Sequence, residues 1–244
     1  MTKFAFEVPT AHLQDFHDLQ DFYFVLTIQM EDDRFADFMI SQVVIPGLHA
    51  IWVDNSFNET GDATHHHDIL EVYNTLKAQK MIPPDALDWT PEQIGNEVAE
   101  MMRHTIPQHN IVPVIAYFDT YSHLYMEFLA VVTYAIPYMT RSNWDDEDLE
   151  WVHRRSPFVH YLGLNSIDEL TQWKPFSVDT GMPIKLAMQN KTLQQWEQEG
   201  CPHIYNKDLG SQGMDYFNAT LTTEQVKLAR RNIWELKQRV QTLA

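Results

Sequence analysis

The chain has 244 residues, 44% of them apolar, a formal charge of −17 and one cysteine. That size and apolar content suffice for a substantial core, while the charge repels a phosphate backbone over most of the surface. Cys201 alone excludes an intramolecular disulfide and any Cys-rich zinc module.

The first residues, MTKFAFEVPT, hold no apolar run of signal-peptide length, and no stretch of about 18 apolar residues could span a bilayer. A cytoplasmic protein without membrane contact is expected. No Pro/Gly/Ser-rich linker or repeat divides the chain, so residues 1–244 are expected to form a single domain.

Phe22 to Ile28 is a continuous apolar and β-branched run, the pattern of a strand buried on both faces, and Asp32 to Ile40 follows with helical spacing. Gly47 to Val53 rises into Asp54-Asn55-Ser56, and a helix is predicted from about Asp68 to Gln79. Between them a polar loop ends in His65-His66-His67, near Asp62 and Asp68. Adjacent histidines cannot all face one ion in regular structure, so a loop or helix-start cluster is favoured over a metal site.

Lys80 to Pro84 reads as a short strand ending at Asp85. Thr90, Pro91 and Gln93 then announce a helix by cap, first-turn proline and capping-box partner. Ile111 to Phe118 is a strand ending at Asp119, Ser122 to Phe128 a short helix, and Ala130 to Ile136 a buried strand. Asn143 to His153 contains a helix cap and the apolar positions Leu149 and Val152; Phe158 to Leu162 is a strand closed by Gly163-Leu164-Asn165. Ser166 and Glu169 open the helix that precedes a last clear strand, Phe176 to Val178, which runs into Asp179 and a Thr-Gly-Met-Pro turn.

Seven strand-like segments at intervals of about 25 to 35 residues predict a (β/α)8 TIM barrel with an irregular or displaced eighth strand. The candidates for that strand are His203 to Tyr205 and Asp215 to Asn218. Thr222 to Val240 is a helix whose apolar stripe packs on the barrel, and its Lys227, Arg230, Arg231, Lys237 and Arg239 read as a solvated face.

Polar residues directly after strands are Asp54, Asn55, Ser56, Asp85, Asp119, Asn165 and Asp179. Carboxylates crowded on one rim raise one another's pKa or demand cations, which suits a metal cradle or a glycosidic bond with a cationic transition state. No G-x-S-x-G elbow, P-loop or dinucleotide fingerprint is present.

The stretch Val159 to Ala187, VHYLGLNSIDELTQWKPFSVDTGMPIKLA, resembles the nucleophile region of the queuine and archaeosine tRNA-guanine transglycosylases. IWVDNSF is similar to that family's second aspartate segment, and MIPPDALD to the strand that supplies its base-recognising aspartate. The resemblance implies a TIM barrel with Asp179 as nucleophile, Asp54 as second catalytic aspartate and Asp85 reading the base. It places Lys185 on the family's arginine; Asn55, Ser56, Tyr117, Asp119 and Asn165 complete the expected substrate set. The family's zinc site has no counterpart.

The implied reaction is pentosyl transfer or N-glycosidic cleavage at a guanine or 7-deazaguanine type base, as in phage DNA-modifying relatives. The expected substrate is a purine-like base, nucleoside or nucleotide, with nucleic acid supplied through a partner protein. No cofactor and no metal are expected, and self-association is left open. Two alternatives stand beside this: a metal-dependent hydrolase using His65, His67 or His123, and a non-catalytic barrel in a nucleic-acid modification complex.

Overall fold

The computed structural model describes residues 1–44, 50–56, 65–84, 90–104, 106–115, 133–156, 158–164, 166–202 and 214–242. Seven strands follow in chain order: β1 Lys3–Phe6, β2 Phe22–Leu26, β3 Ala50–Asp54, β4 Lys80–Met81, β5 Thr133–Pro137, β6 Phe158–Leu162 and β7 Ser177–Thr180. Pairing is parallel throughout, in two runs, β2-β3-β4 and β5-β6-β7-β1.

Segment 111–115 joins the runs at one end. Met81 bridges Ile111 and Val114 bridges Ala135, and the N–H groups of Val112 and Ile115 donate to the carbonyls of Met81 and Ala135 at 2.8 Å. At the other end side chains make the seam between β1 and β2. The Gln20 amide accepts from Phe6 N–H at 2.6 Å and donates to Phe6 C=O at 2.9 Å, as a neighbouring backbone would. Asp21 does the same for Phe4, its N–H donating to the Phe4 carbonyl and its carboxylate accepting from Phe4 N–H. The eight staves, in sequence order, make a (β/α)8 barrel.

The stave that the sequence hides is the first. Lys3–Phe6 pairs with β7 from Lys3–Ser177 to Phe6–Thr180. Of the two expected positions for an eighth strand, 203–205 lies outside the described residues, and Asp215 to Asn218 overlaps a helical turn, Met214–Phe217.

The helices are α1 Asp33–Val43, α2 His66–Thr75, α3 Pro91–Arg103, α4 Asp146–Arg155, α5 Ile167–Trp173, α6 Met182–Met188, α7 Leu193–Gln198 and α8 Thr223–Thr242. Thr90 with Gln93, and Ser166 with Glu169, form the predicted reciprocal caps of α3 and α5. The cap of α4, within the segment expected to hold one, is Asp145, whose carboxylate accepts from Asp148 N–H. On α8, Arg230 pairs with Asp18, Lys237 with Asp21 and Arg239 with Glu197, so its basic groups are matched within the chain.

Alternation along the strands separates two apolar layers. Ala5, Phe22, Trp52, Ile82, Val112 and Ala135 point into the barrel and pack together. Their sequence neighbours, such as Phe4, Tyr23, Val53, Ile136 and Val178, face the helices and form the larger core. Each such fully buried side chain contributes about 1.5–3 kcal/mol. The same parity puts Asp54, His160 and Asp179 in the inward register of β3, β6 and β7.

Candidate active site

Asp179 lies near the carboxyl end of β7 and is 4% exposed. On adjacent β1 the chain continues past Phe6 to Glu7, whose N–H extends the ladder to the Thr180 carbonyl at 3.2 Å. Glu7 follows Lys3 and Ala5 in the inward parity, which sets its carboxyl beside that of Asp179. Burial first, then the charge of Glu7, raise the Asp179 carboxyl well above the ordinary carboxylate range.

Lys185, on the α6 turn after Asp179, places Nζ 3.2 Å from Glu7 Oε2 and 4.7 Å from the centre of the Tyr216 ring. Tyr216 in turn donates its hydroxyl to the Glu7 carbonyl at 2.6 Å. Gly181 leaves room for this arrangement: a Cβ there would sit 2.6 Å from Glu7 Oε2 and 2.9 Å from Lys185 Cε, and the two side-chain ends would have to shift. Side-chain exposure falls from 34% at Lys185 and 23% at Glu7 to 6% at Asp179, so an incoming molecule meets the cation and Glu7 first.

Beneath Asp179 stands His160, fully buried in the middle of β6. Its Nε2 is 3.1 Å from Asp179 Oδ1 and its Nδ1 2.9 Å from Ser177 Oγ. The spacing to Asp179 is that of a salt bridge, but burial and then the nearby Arg141 charge lower the imidazole to about 3. The ring is neutral, and the contact is an ordinary hydrogen bond. Phe24 stacks on it at 5.3 Å and the Trp52 ring lies 5.0 Å away, which closes the barrel interior below the site.

Arg141, 4% exposed, follows β5 and fixes the neighbouring rim. It pairs with Glu169, lies 4.0 Å over the Tyr161 ring and donates to the Gly163 carbonyl at 2.8 Å. The Gly163 N–H points to Asp179 Oδ1 at 3.4 Å.

Of the residues read from sequence, Asp179 and Lys185 come together around Glu7. Asp54 stands in the inward register on β3, separated from β7 by β2 and β1, and its Oδ2 accepts from Ser56 N–H at 3.2 Å. Asn55 and Ser56 are buried to 1% and 0% exposure. Asn55 donates to the Pro83 carbonyl at 2.7 Å and Ser56 Oγ accepts from Ile28 N–H at 3.1 Å, so both tie strand ends together. Asp85, Tyr117, Asp119, His123 and Asn165 lie outside the described residues. His66 pairs with Glu97 and His67 with Glu71; among the described residues no cluster of three metal-ligating side chains occurs.

Glu7, His160 and Arg141 were not singled out by sequence. Glu7 had a usable signal: KFAF followed by an acidic residue and Val-Pro repeats the strand-then-carboxylate pattern of the other staves.

No family model and no curated protein matches the chain. Solved structures do. The YdjI aldolase from Escherichia coli K12 shares the fold with a TM-score of 0.60 at 11% identity, covering 98% of this chain and 90% of that one. KGPDC from Streptococcus mutans follows at 0.54 and 11%, covering 98% and 99%, and N-acetylneuraminate lyase from Mycoplasma synoviae at 0.53 and 12%, covering 96% and 97%.

Those identities carry the barrel and nothing finer. They do overturn the transglycosylase resemblance: the barrels that match are an aldolase, KGPDC and a lyase, and base exchange at a ribose, the 7-deazaguanine substrate and the phage and nucleic-acid associations go with it. Neither the metal-dependent hydrolase nor the modification-complex barrel gains support from the fold.

Proposed function

We propose that the chain is an acid–base enzyme of the aldolase or lyase kind, making or breaking a carbon–carbon bond beside the carbonyl of a small oxygenated molecule. The observation that carries this reading is the placing of Glu7 and Asp179 side by side at the carboxyl end of adjacent parallel strands, with the Asp179 carboxyl raised by burial and by the Glu7 charge. Two neighbouring carboxyl groups of which one is raised offer an acid and a base within one site.

In the cleavage direction the carboxylate removes the proton of a hydroxyl β to the carbonyl. That oxygen becomes a new carbonyl as the carbon–carbon pair moves into an enolate, and the protonated carboxyl returns a proton to the enolate carbon. Lys185 supplies positive charge where the enolate oxygen develops, and it is the part of the cluster most open to solvent. Asp54, in the inward register on β3, is assigned to the opposite wall of the mouth. The reaction class is also that of two of the barrels similar in fold, an aldolase and a lyase, which supports it by analogy alone.

Proton NMR in deuterated buffer tests the reading with pyruvate, hydroxypyruvate and dihydroxyacetone as probes. The protein is expected to catalyse exchange of hydrogen on the carbon beside the carbonyl of at least one probe. Asp179→Asn and Glu7→Gln should slow that exchange by roughly 10²–10⁴-fold. Exchange unaffected by both substitutions, or none above buffer for any probe, defeats the assignment.

A further inference from the structure

A buried histidine with two hydrogen-bond partners is ordinarily just a satisfied core residue. His160 differs in what it holds. Its Nδ1 meets Ser177 Oγ, two residues before Asp179 on β7, and its Nε2 meets Asp179 Oδ1. The ring cannot rotate away, because Phe22, Phe24 and Trp52 surround it at centroid distances of 6.0, 5.3 and 5.0 Å. Asp179 is thus gripped on Oδ1 by His160 and Gly163 N–H, with the Glu7 carboxyl beside it on β1.

We propose that His160 is a positioning residue: anchored at Nδ1 by Ser177 and walled in by aromatic rings, it orients the Asp179 carboxyl through Nε2, so that its tautomer and the protonation of Asp179 are coupled. The inference rests on the acid–base reading of the Glu7–Asp179 pair. The charged and titratable groups involved are few. Arg141 acts on His160 from the β5 side, Glu7 faces Asp179 from β1, and Lys185 lies behind Glu7 on α6.

With Ser177 as partner of Nδ1, one arrangement at Nε2 is compatible with one arrangement at Asp179. A ring that donates through Nδ1 leaves a lone pair at Nε2 to accept the Asp179 O–H. A ring that accepts at Nδ1 donates from Nε2 and sends the Asp179 proton toward Glu7. The Ser177 hydroxyl serves either ring, so its loss removes the anchor common to both arrangements.

The test reads protonation directly, without a substrate. Long-range ¹H–¹⁵N spectra of protein labelled at the histidine ring nitrogens report the His160 tautomer, and ¹³C spectra of protein labelled at the aspartate carboxyl carbon report the Asp179 titration. In the unaltered protein His160 is expected as a single neutral tautomer over neutral pH. Ser177→Ala is expected to shift the tautomer signals, because Nδ1 loses its partner, and to move the Asp179 midpoint by roughly half a pH unit or more, and His160→Phe to move it further.

Ser177→Ala removes one oxygen and keeps the test open if His160→Phe does not fold. A folded Ser177→Ala protein with an unchanged tautomer and an unchanged Asp179 titration overturns the inference. That result says nothing against the acid–base reading, which fails on exchange kinetics instead.

Discussion

Asp179 shows how a single buried carboxyl sets stability against chemistry. Its folded pKa is raised by burial and by Glu7, so the native state holds its proton more tightly than the unfolded chain does. The stability it contributes is therefore complete below the ordinary value of 3.8 and is lost as pH climbs from there through the folded value. Asp179→Asn keeps the shape and a donor toward Glu7 while removing the ionisation. The variant is expected to be more stable than the unaltered protein near pH 8, by on the order of 1–3 kcal/mol, with the gain shrinking to nothing below about pH 4. Urea unfolding at pH 4, 6 and 8 measures it, and a pH-independent difference removes the explanation. A gain in stability with a loss of exchange activity is the trade expected where a strained group serves a reaction. That Asp179 ends a strand was legible in the sequence; that its partner is Glu7 was not, because 172 residues separate two side chains that only the β1–β7 pairing brings together.

Among the elements, the longer strands announced themselves and the decisive one did not. FVHYL matches its strand, Phe158–Leu162, and the run Phe22 to Ile28 contains the strand Phe22–Leu26, its last two residues already turning into a 3-10 helix. KFAF is four residues long, and half of its neighbouring hydrogen bonds come from side chains, so no periodicity marks it. Composition also cannot reveal that a glutamine stands in for a strand. Gln20, 6% exposed, satisfies both polar groups of Phe6, the residue before Glu7. Gln20→Ala leaves a buried N–H and a buried C=O without that partner, an expected loss of about 2–4 kcal/mol at roughly 1–3 kcal/mol for each group. Hydrogen exchange localises the effect: the Phe6 amide should lose protection before those of β6, whose ladder to β5 and β7 is unaltered. Equal loss of protection across β1 and β6 would mean that Gln20 stabilises the barrel generally and does not close this seam.

At the scale of the molecule, the −17 charge repels itself at neutral pH, and acidification relieves part of that repulsion. The buried histidines act in the opposite direction. Burial and the Arg141 charge lower His160 to about 3 and His153 to about 4, from an ordinary 6.5. Both contribute stability that is present above pH 6.5 and is lost as pH falls toward those values, since the unfolded chain takes up the protons first. Each histidine can remove at most about 1.4 kcal/mol per pH unit in that window, while Asp179 acts in the opposite direction. The share of His153 is the one that can be removed without touching the site. His153 Nε2 bonds the Tyr161 hydroxyl at 2.9 Å and its ring stacks on Trp173 at 5.7 Å, outside the barrel and away from Asp179. His153→Gln keeps a polar partner for Tyr161 without a titrating ring. Its denaturant midpoint should fall less steeply than that of the unaltered protein between pH 6 and pH 4.5, and parallel curves would show that proton uptake by His153 does not set the acid limit of this barrel.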